Sequence, residues 1–249
     1  MTPLGYLGIA GAGLLAGTIN TIVGSGSLLT FPTLVGLGYS PLVANVSNTV
    51  GLVPGGASGA FGYRHELAGQ RDRVVVLGAC AITGGVVGAV LLLVFPSAFQ
   101  VVVPWLVLVA VAMVLVQPRL SRYLAKRGPR PRTGGWLLRL GVGLTGVYGG
   151  YFGAAQGVLL IGLLALGFDD ELQKMNGLKN ALTPMINGVA AIIFMALAPV
   201  SWTVAGILAG SSIIGGQVGA KVGRKLPAPV LRAVIVVAGI AVAVKLLLA

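Results

Sequence analysis

Two short glycine-rich segments place hydrogen-bond donors in the middle of otherwise apolar stretches. The first reads Val-Gly-Ser-Gly-Ser over residues 23–27, and the second reads Gly-Ala-Ala-Gln-Gly over residues 153–157. Each segment predicts a helix break, after which a new helix begins with free N–H groups and a partial positive charge. Helix starts of this kind bind anions. The residues predicted to face an anion here are Gly24, Ser25, Gly26, Ser27 and Gln156.

A trio of polar side chains follows each predicted break. The trios are Asn45, Asn48 and Thr49 in the first case and Asn176, Lys179 and Asn180 in the second. Offsets of three and four residues put the members of each trio on one face of a helix. Polar side chains in otherwise apolar helices tend to face the interior of a bundle. We therefore predict that both trios complete the same anion site.

The lysine in the second trio has two interpretations. As part of the site, Lys179 would supply the positive charge that opposes an anion. As a surface residue, its long side chain would reach towards lipid headgroups. Both interpretations remain open from the sequence. Asn20 and Asn187 are weaker candidates, because hydrogen bonds between helices explain them as well as a ligand does.

The residues that are missing exclude several kinds of chemistry. All five acidic residues fall in predicted loops, so the apolar segments carry no carboxylate for a cation or a proton relay. The chain has one histidine and one cysteine, too few for a His- or Cys-based metal site. No nucleophile–base pair is evident either. The sequence predicts neither an enzyme nor a cofactor.

The composition is that of a membrane protein. Of 249 residues, 56% are hydrophobic and only 9% are charged, against about a quarter charged in soluble domains. Several uncharged stretches exceed the roughly 20 apolar residues that one crossing requires. The net charge of +12 lies in short loops, as in cytoplasmic loops of membrane proteins, so we do not expect nucleic-acid binding. These features predict a multi-pass protein of the bacterial inner membrane.

The chain also contains an internal repeat. Three glycine pairs share one offset: Gly17 with Gly146, Gly24 with Gly153 and Gly38 with Gly167. We predict a first repeat over residues 1–118, a basic cytoplasmic linker over 119–134 and a second repeat over 135–249. Pro118, Pro129 and Pro131 are expected to keep the linker irregular. Each repeat reads as one broken helical segment followed by three transmembrane helices. The predicted helical ranges are 4–37, 41–62, 74–95 and 98–117, then 136–167, 172–198, 201–220 and 229–248.

Loop charges indicate that the two repeats have opposite orientations. Loop 64–73 is basic, whereas its counterpart near residues 199–201 is uncharged. Loop 95–98 is uncharged, whereas its counterpart 221–229 is basic. An inverted repeat is common in secondary transporters. If both broken segments are re-entrant, the basic loops lie inside and both termini outside, and this is the topology that we predict. If each is one crossing, there are eight helices with both termini inside, which would place the basic loop 221–229 outside against the charge rule.

Close packing offers a simpler explanation for the glycines. Pairs four residues apart let membrane helices approach each other closely. Gly24 and Gly153 would then be packing residues, and no break would be needed. The sequence favours a break, because Gly-Ser-Gly-Ser adds hydroxyl donors that packing does not require.

The residues of the first half resemble a known family. The run from Ala16 to Pro32, followed by residues 44–49, is similar to the sulfite exporter TauE/SafE family. Residues 149–160 and 176–180 are the counterparts of this motif in the second repeat and fit the same family. This resemblance covers nearly the whole chain. It implies a transporter of sulfite or an organosulfonate such as sulfoacetate across the bacterial inner membrane. The second break lacks hydroxyls, so the two half-sites should contribute unequally.

The predicted protein is thus an all-α polytopic membrane protein with two inverted repeats. Its predicted function is secondary transport of a small sulfur-containing anion by alternating access. The alternatives are an anion channel of the same architecture, a carrier for another small oxyanion, and a membrane scaffold that moves nothing. Expected partners are the small anion and the lipid bilayer. The sequence does not determine the direction of transport, the coupling ion or the oligomeric state.

Overall fold

The structure, a computed structural model, describes residues 2–125, 135–222 and 228–248, and all secondary structure there is helical. The ten helices of these residues match the predicted ranges to within a few residues, apart from the two breaks and the end of α5. They are α1 (Pro3–Ile22), α2 (Ser27–Gly36), α3 (Pro41–Gly62), α4 (Arg71–Val94), α5 (Pro96–Ala125), α6 (Trp136–Tyr151), α7 (Gln156–Gly167), α8 (Leu172–Leu197), α9 (Trp202–Val222) and α10 (Ala228–Leu247).

Five helices of the described residues are long and apolar enough to cross a membrane. They are α1, α4, α5, α8 and α9. A span of 20 residues covers about 30 Å, the thickness of the hydrocarbon core. The prediction of an all-helical, multi-pass membrane protein is confirmed to this extent.

Both predicted helix breaks are present. α1 ends at Ile22 and α2 begins at Ser27, and α6 ends at Tyr151 before α7 begins at Gln156. Gly24 and Gly153 adopt φ values of +84° and +74°, which side chains other than glycine rarely tolerate. These two glycines are therefore turn residues, and close packing alone does not explain them. Ala155 shares the left-handed conformation, with φ of 59°.

Each broken segment folds back on itself as a helical hairpin. A Cβ built on Gly26 would lie 2.9 Å from the Cα of Ala16, and one built on Gly5 would lie 3.7 Å from the side chain of Leu37. The second hairpin pairs Gly141 with Leu163 and Gly167 with Leu138 in the same way. Each segment therefore starts and ends at the same end of the bundle. This geometry is that of the re-entrant alternative.

Glycines spaced four residues apart do allow close helix packing. A Cβ on Gly17 of α1 would lie 3.0 Å from the backbone N of Gly216 in α9. A Cβ on Gly146 of α6 would lie 2.6 Å from the carbonyl oxygen of Ala81 in α4. Backbones in direct contact gain van der Waals packing where lipid supplies no hydrophobic drive. The first hairpin thus packs on α9, and the second packs on α4.

Polar contacts fix the connections at two ends of the bundle. Arg73 forms an ion pair with Asp170, which joins the α3–α4 region to the α7–α8 connection. The Arg73 guanidinium also lies 4.1 Å from the ring centroid of Phe168. At the start of α3, the N–H of Ser201 donates to Oγ of Ser47 over 2.8 Å, which places the α8–α9 connection there. The α8–α9 and α3–α4 connections thus lie at opposite ends of α3.

The prediction that Pro118 starts an irregular linker was wrong. Helix α5 continues through Pro118 to Ala125. One proline removes a single main-chain hydrogen bond, and membrane helices tolerate this loss better than soluble ones. Residues 126–134 of the predicted linker lie outside the described residues, as do Arg224 and Lys225 in loop 221–229.

The α1–α9 contact gives a direct test of the packing. In Gly215→Ala, the new Cβ would lie 3.0 Å from the N of Thr18, so α1 must shift. We expect the free energy of unfolding to fall by about 1–3 kcal/mol. Gly210→Ala, on the same helix, meets nothing within 4 Å and should be neutral or slightly stabilising. Thermal unfolding of both purified variants in detergent measures the difference, and equal melting temperatures would contradict the packing.

Candidate functional site

The tips of the two hairpins meet backbone to backbone. The N–H of Gly157 donates to the carbonyl oxygen of Gly24 over 3.1 Å. A Cβ on Gly24 would lie 2.5 Å from the Cα of Gly157, so neither position has room for a side chain. The two predicted breaks, 129 residues apart at Gly24 and Gly153, thus form one junction.

The first tip uses most of its main-chain donors internally. The N–H of Gly26 donates to Oδ1 of Asn20 over 2.7 Å. The N–H groups of Leu28 and Leu29 donate to the carbonyls of Ser25 and Gly26 over 3.1 and 2.9 Å. The prediction of an amide-rich tip therefore overstated the free amides. Asn20, which the sequence ranked low, closes the turn.

The Ser25 hydroxyl at this tip has no hydrogen-bond partner, and we call it the open hydroxyl. The side chain is fully buried. Ser27, at the start of α2, is also buried. Buried polar groups almost always have a partner, so an open hydroxyl indicates a place where a ligand or water binds.

The second tip holds its glutamine through a neighbouring asparagine. Nε2 of Gln156 donates to Oδ1 of Asn187 over 2.7 Å, and Oε1 of Gln156 is buried without a partner. One amide donor that we predicted for the anion is therefore engaged by protein. The Tyr148 hydroxyl donates to the carbonyl of Ala154 over 2.6 Å and braces the turn.

The first polar trio reaches the second hairpin through one member. Nδ2 of Asn45 donates to the carbonyl of Tyr151, the last residue of α6, over 3.0 Å, while its Oδ1 is buried without a partner. Oδ1 of Asn48 accepts from the Thr30 hydroxyl. The Thr49 hydroxyl donates to the carbonyl of Asn45 within its own helix. Thr49 was predicted as a ligand donor, but its hydroxyl proton is used in this hydrogen bond within α3.

The second polar trio reaches the first hairpin. Nζ of Lys179 donates to the carbonyls of Asn20 and Thr21 over 3.2 and 3.0 Å. Nδ2 of Asn180 donates to the same Thr21 carbonyl over 3.1 Å. Asn176 is half-buried and takes part in neither bond. Lys179 is 0% exposed, so the interpretation in which it reaches lipid headgroups was wrong.

Each broken helix is thus capped by the polar trio of the other half. The last carbonyls of a helix have no partner within the helix and carry partial negative charge. Lys179 and Asn180 of α8 supply donors to the end of α1, and Asn45 of α3 supplies one to the end of α6. Among the described residues, Lys179 forms no ion pair with an acid. The partial charge of the α1 end therefore offsets only part of the lysine charge.

Aromatic rings cover one side of the junction. The rings of Phe31 and Phe152 meet edge to face with centroids 5.3 Å apart, and Phe99 and Tyr151 do so at 5.5 Å. Tyr148 packs on Phe152 at 6.5 Å. No aromatic residue occupies position 19, 22 or 23, the counterparts of Tyr148, Tyr151 and Phe152. The two sides of the junction therefore differ chemically.

The junction is closed to solvent in this conformation. Ser25 and Lys179 are both 0% exposed. A cavity of about 440 Å³ between α5 and α7 is lined by apolar side chains and Gln117, and it includes none of the predicted site residues. Within the described residues, no three His, Cys, Asp or Glu side chains group together as metal ligands.

Comparison with known proteins agrees with this architecture. Three relatives are each 26% identical: "Probable membrane transporter protein ORF9" of Sinorhizobium sp, "Probable membrane transporter protein YfcA" of Escherichia coli K12, and a "Probable membrane transporter protein" of Haemophilus influenzae. The aligned regions cover 95%, 94% and 84% of this chain and 90%, 86% and 81% of those proteins. No solved structure matches the chain.

The family comparison covers almost the whole protein. The family described as "Sulfite exporter TauE/SafE" matches residues 9–246, which include both hairpin tips and both polar trios. Its match and those of the three relatives agree on membrane transport and give no support for an enzyme. The chain belongs to the TauE/SafE family of membrane transporters.

Proposed function

We propose that this protein is a secondary transporter of a small sulfur-containing anion, such as sulfite or an organosulfonate, which binds at the junction of the two hairpins. Alternating access would carry the anion across the bacterial inner membrane. The family description supports the class of substrate. The absence of acidic residues from the predicted membrane segments supports an anion over a cation.

One observation carries the proposal: the amino group of Lys179, fully buried and without an acidic partner among the described residues, lies at the junction of the broken helices. An isolated buried charge is costly unless an opposite charge or several hydrogen bonds compensate it. The α1 carbonyls supply part of that compensation for Lys179. A bound anion would supply the rest, and the open hydroxyl of Ser25 would donate to it.

The remaining predicted residues have distinct roles in this proposal. Gly24 and Gly26 shape the first tip, and Asn45 and Asn180 keep the broken helices capped. Gln156 is held in place by Asn187. We assign anion contact to Ser25 and Lys179, with Ser27 beside them.

An inverted arrangement of the two repeats forms part of the same proposal. It is supported by the α3–α4 and α8–α9 connections, which are counterparts and lie at opposite ends of α3. The hairpins would enter from opposite leaflets. By the charge rule, the end with Arg64, Arg71 and Arg73 faces the cytoplasm, and both termini lie outside.

Flux measurements in proteoliposomes test the function directly. We expect counterflow of sulfite or sulfoacetate, whereas conductance without exchange would indicate a channel and no flux would indicate a scaffold.

Ser25→Ala should weaken anion binding by roughly 10- to 150-fold, the cost of one hydrogen bond to a charged ligand, about 1.5–3 kcal/mol. Anion-dependent thermal shifts measure this change. Unchanged affinity in Ser25→Ala would exclude the hydroxyl as a ligand.

Lys179 should be needed for transport, unlike a nearby lysine. Lys179→Met removes the buried positive charge, so we expect loss of anion binding and flux. Lys174→Met is the matched control, because Lys174 is exposed on the first turn of the same helix. Equal flux in both variants would contradict the role of Lys179. Circular dichroism and gel filtration check that the variants fold.

Stability measurements distinguish the unpaired hydroxyl of Ser25 from the hydroxyl of Thr30, which makes a structural hydrogen bond. Ser25→Ala removes a buried group without a partner, so the free energy of unfolding should stay the same or rise. Thr30→Val leaves Oδ1 of Asn48 without its donor and should lower it by about 1–3 kcal/mol. Denaturant titrations of both variants measure the contrast. A marked loss of stability in Ser25→Ala would mean that the hydroxyl has a structural partner.

A further inference from the structure

We infer that the units which move during transport are not the two halves of the sequence but two bodies that each mix helices from both halves. The inference rests on the proposed transport function and specifies its moving parts. The hairpin-1 body consists of α1, α2, α3 and α9. The hairpin-2 body consists of α4, α6, α7 and α8.

Direct backbone contacts hold α1 against α9 in the hairpin-1 body. A Cβ on Gly17 would lie 3.0 Å from the N of Gly216, and one on Gly219 would lie 2.8 Å from the carbonyl oxygen of Thr18. The Thr18 hydroxyl also donates to the carbonyl of Gly215 over 3.0 Å. These contacts join the first half of the sequence to the second.

The same body includes α3. The Ser212 hydroxyl of α9 donates to the carbonyl of Gly51 over 3.1 Å. Nε2 of Gln217 donates to the carbonyl of Ser58 over 2.9 Å. A Cβ on Gly51 would lie 2.6 Å from the Cβ of Leu208. Helix α9 therefore packs tightly against two helices of the other half.

The hairpin-2 body is built in the corresponding way around α4. A Cβ on Gly88 would lie 2.8 Å from the N of Tyr151 in α6, and one on Gly85 would lie 3.0 Å from the carbonyl oxygen of Ile186 in α8. A buried apolar cluster takes residues from all four helices of this body, among them Ala81, Val142 and Leu160.

Contacts between the two bodies run through side chains and along α3 and α8, where a Cβ on Gly56 would lie 3.4 Å from the Cβ of Pro184, an ordinary van der Waals separation. They include the edge-to-face pair of Phe31 and Phe152 and the caps that Lys179 and Asn45 supply. The tips add one backbone contact, at Gly24. Most residues assigned to the junction thus lie where the two bodies meet.

Packing physics decides which of these interfaces can move. Helices whose backbones interlock over several turns, as α1 and α9 do, cannot slide without opening voids in a close-packed interior, whereas the tips touch at a single point. Side-chain contacts can part and re-form, and transporters switch by such discrete rearrangements. An anion that draws the Lys179 ammonium away from the α1 carbonyls would loosen the contact between the bodies. The site and the moving interface are therefore the same set of residues.

Two matched cysteine pairs distinguish the bodies from the sequence halves. Gly13→Cys with Ser211→Cys links α1 to α9 inside one body, although the residues belong to different halves; the Cβ atoms would lie 3.3 Å apart. Gly56→Cys with Pro184→Cys links α3 to α8 across the bodies, at 3.4 Å. Both separations lie just below the range of about 3.5–4.5 Å between the Cβ atoms of a disulfide, so a small shift of the helices allows the bond. Cys80→Ala supplies the background.

Flux of sulfoacetate is then measured before and after oxidation, since sulfite itself cleaves disulfides. We expect the 13–211 disulfide to leave flux unchanged and the 56–184 disulfide to abolish it until a reductant is added. Loss of flux with the 13–211 disulfide would favour movement of the sequence halves and overturn the inference. Unchanged flux with the 56–184 disulfide would also overturn it.

A measurement without substrate keeps the inference separate from the proposed function. Double electron–electron resonance measures distances between pairs of spin labels. One pair, at Leu7 and Ile214, lies within one body, and the other, at Leu140 and Ile214, lies across the two bodies. All three side chains are exposed. We expect one narrow distance for the first pair and a broad or two-peaked distribution for the second. Equal widths would overturn the assignment of bodies, even if sulfoacetate is not carried.

Discussion

The structure depends on hydrogen bonds to the last backbone carbonyls of two helices that end inside the apolar bundle. α1 and α6 both end inside the helix bundle, beside the buried residues Val23 and Phe152, and an unpaired carbonyl there costs free energy. The partners come from the opposite half: Lys179 and Asn180 cap α1, and Asn45 caps α6. The breaks are therefore stable only when both halves have assembled around each other.

This capping also sets the chemistry of the junction. When protonated, a lysine that caps a carbonyl end brings a positive charge into the protein, whereas the helix end supplies only about half a negative charge. In the site that we propose, the remaining charge favours an anion that Lys179 and the unpaired hydroxyl of Ser25 would contact. The other side of the junction carries aromatic rings instead. The two halves thus share a backbone plan but offer a ligand different groups, as the unequal break sequences lead one to expect.

Several features of the site were predictable because they are local. Glycine clusters within apolar stretches predicted both breaks, and offsets of three and four predicted both polar trios. The use of each polar group was not predictable in the same way. Thr49 was expected to face a ligand, yet its hydroxyl donates to the carbonyl one turn earlier. Asn20 and Asn187 ranked low because hydrogen bonds between helices explain them as well as a ligand does, and they indeed bond within the protein: Asn20 closes the first tip and Asn187 holds Gln156. Pro118 was expected to end a helix that continues through it.

By itself the sequence determined the helices, the membrane-spanning character and the positions of the breaks, since hydrophobic length and glycine act over a few residues. Tertiary structure decided which carbonyls receive Lys179, which hydroxyl stays open, and which helices pack as one body. These outcomes depend on contacts between residues more than 100 positions apart, such as Lys179 with Thr21 and Asn45 with Tyr151. Spacing along the chain carries no information about such contacts, because only the assembled bundle brings the two halves together.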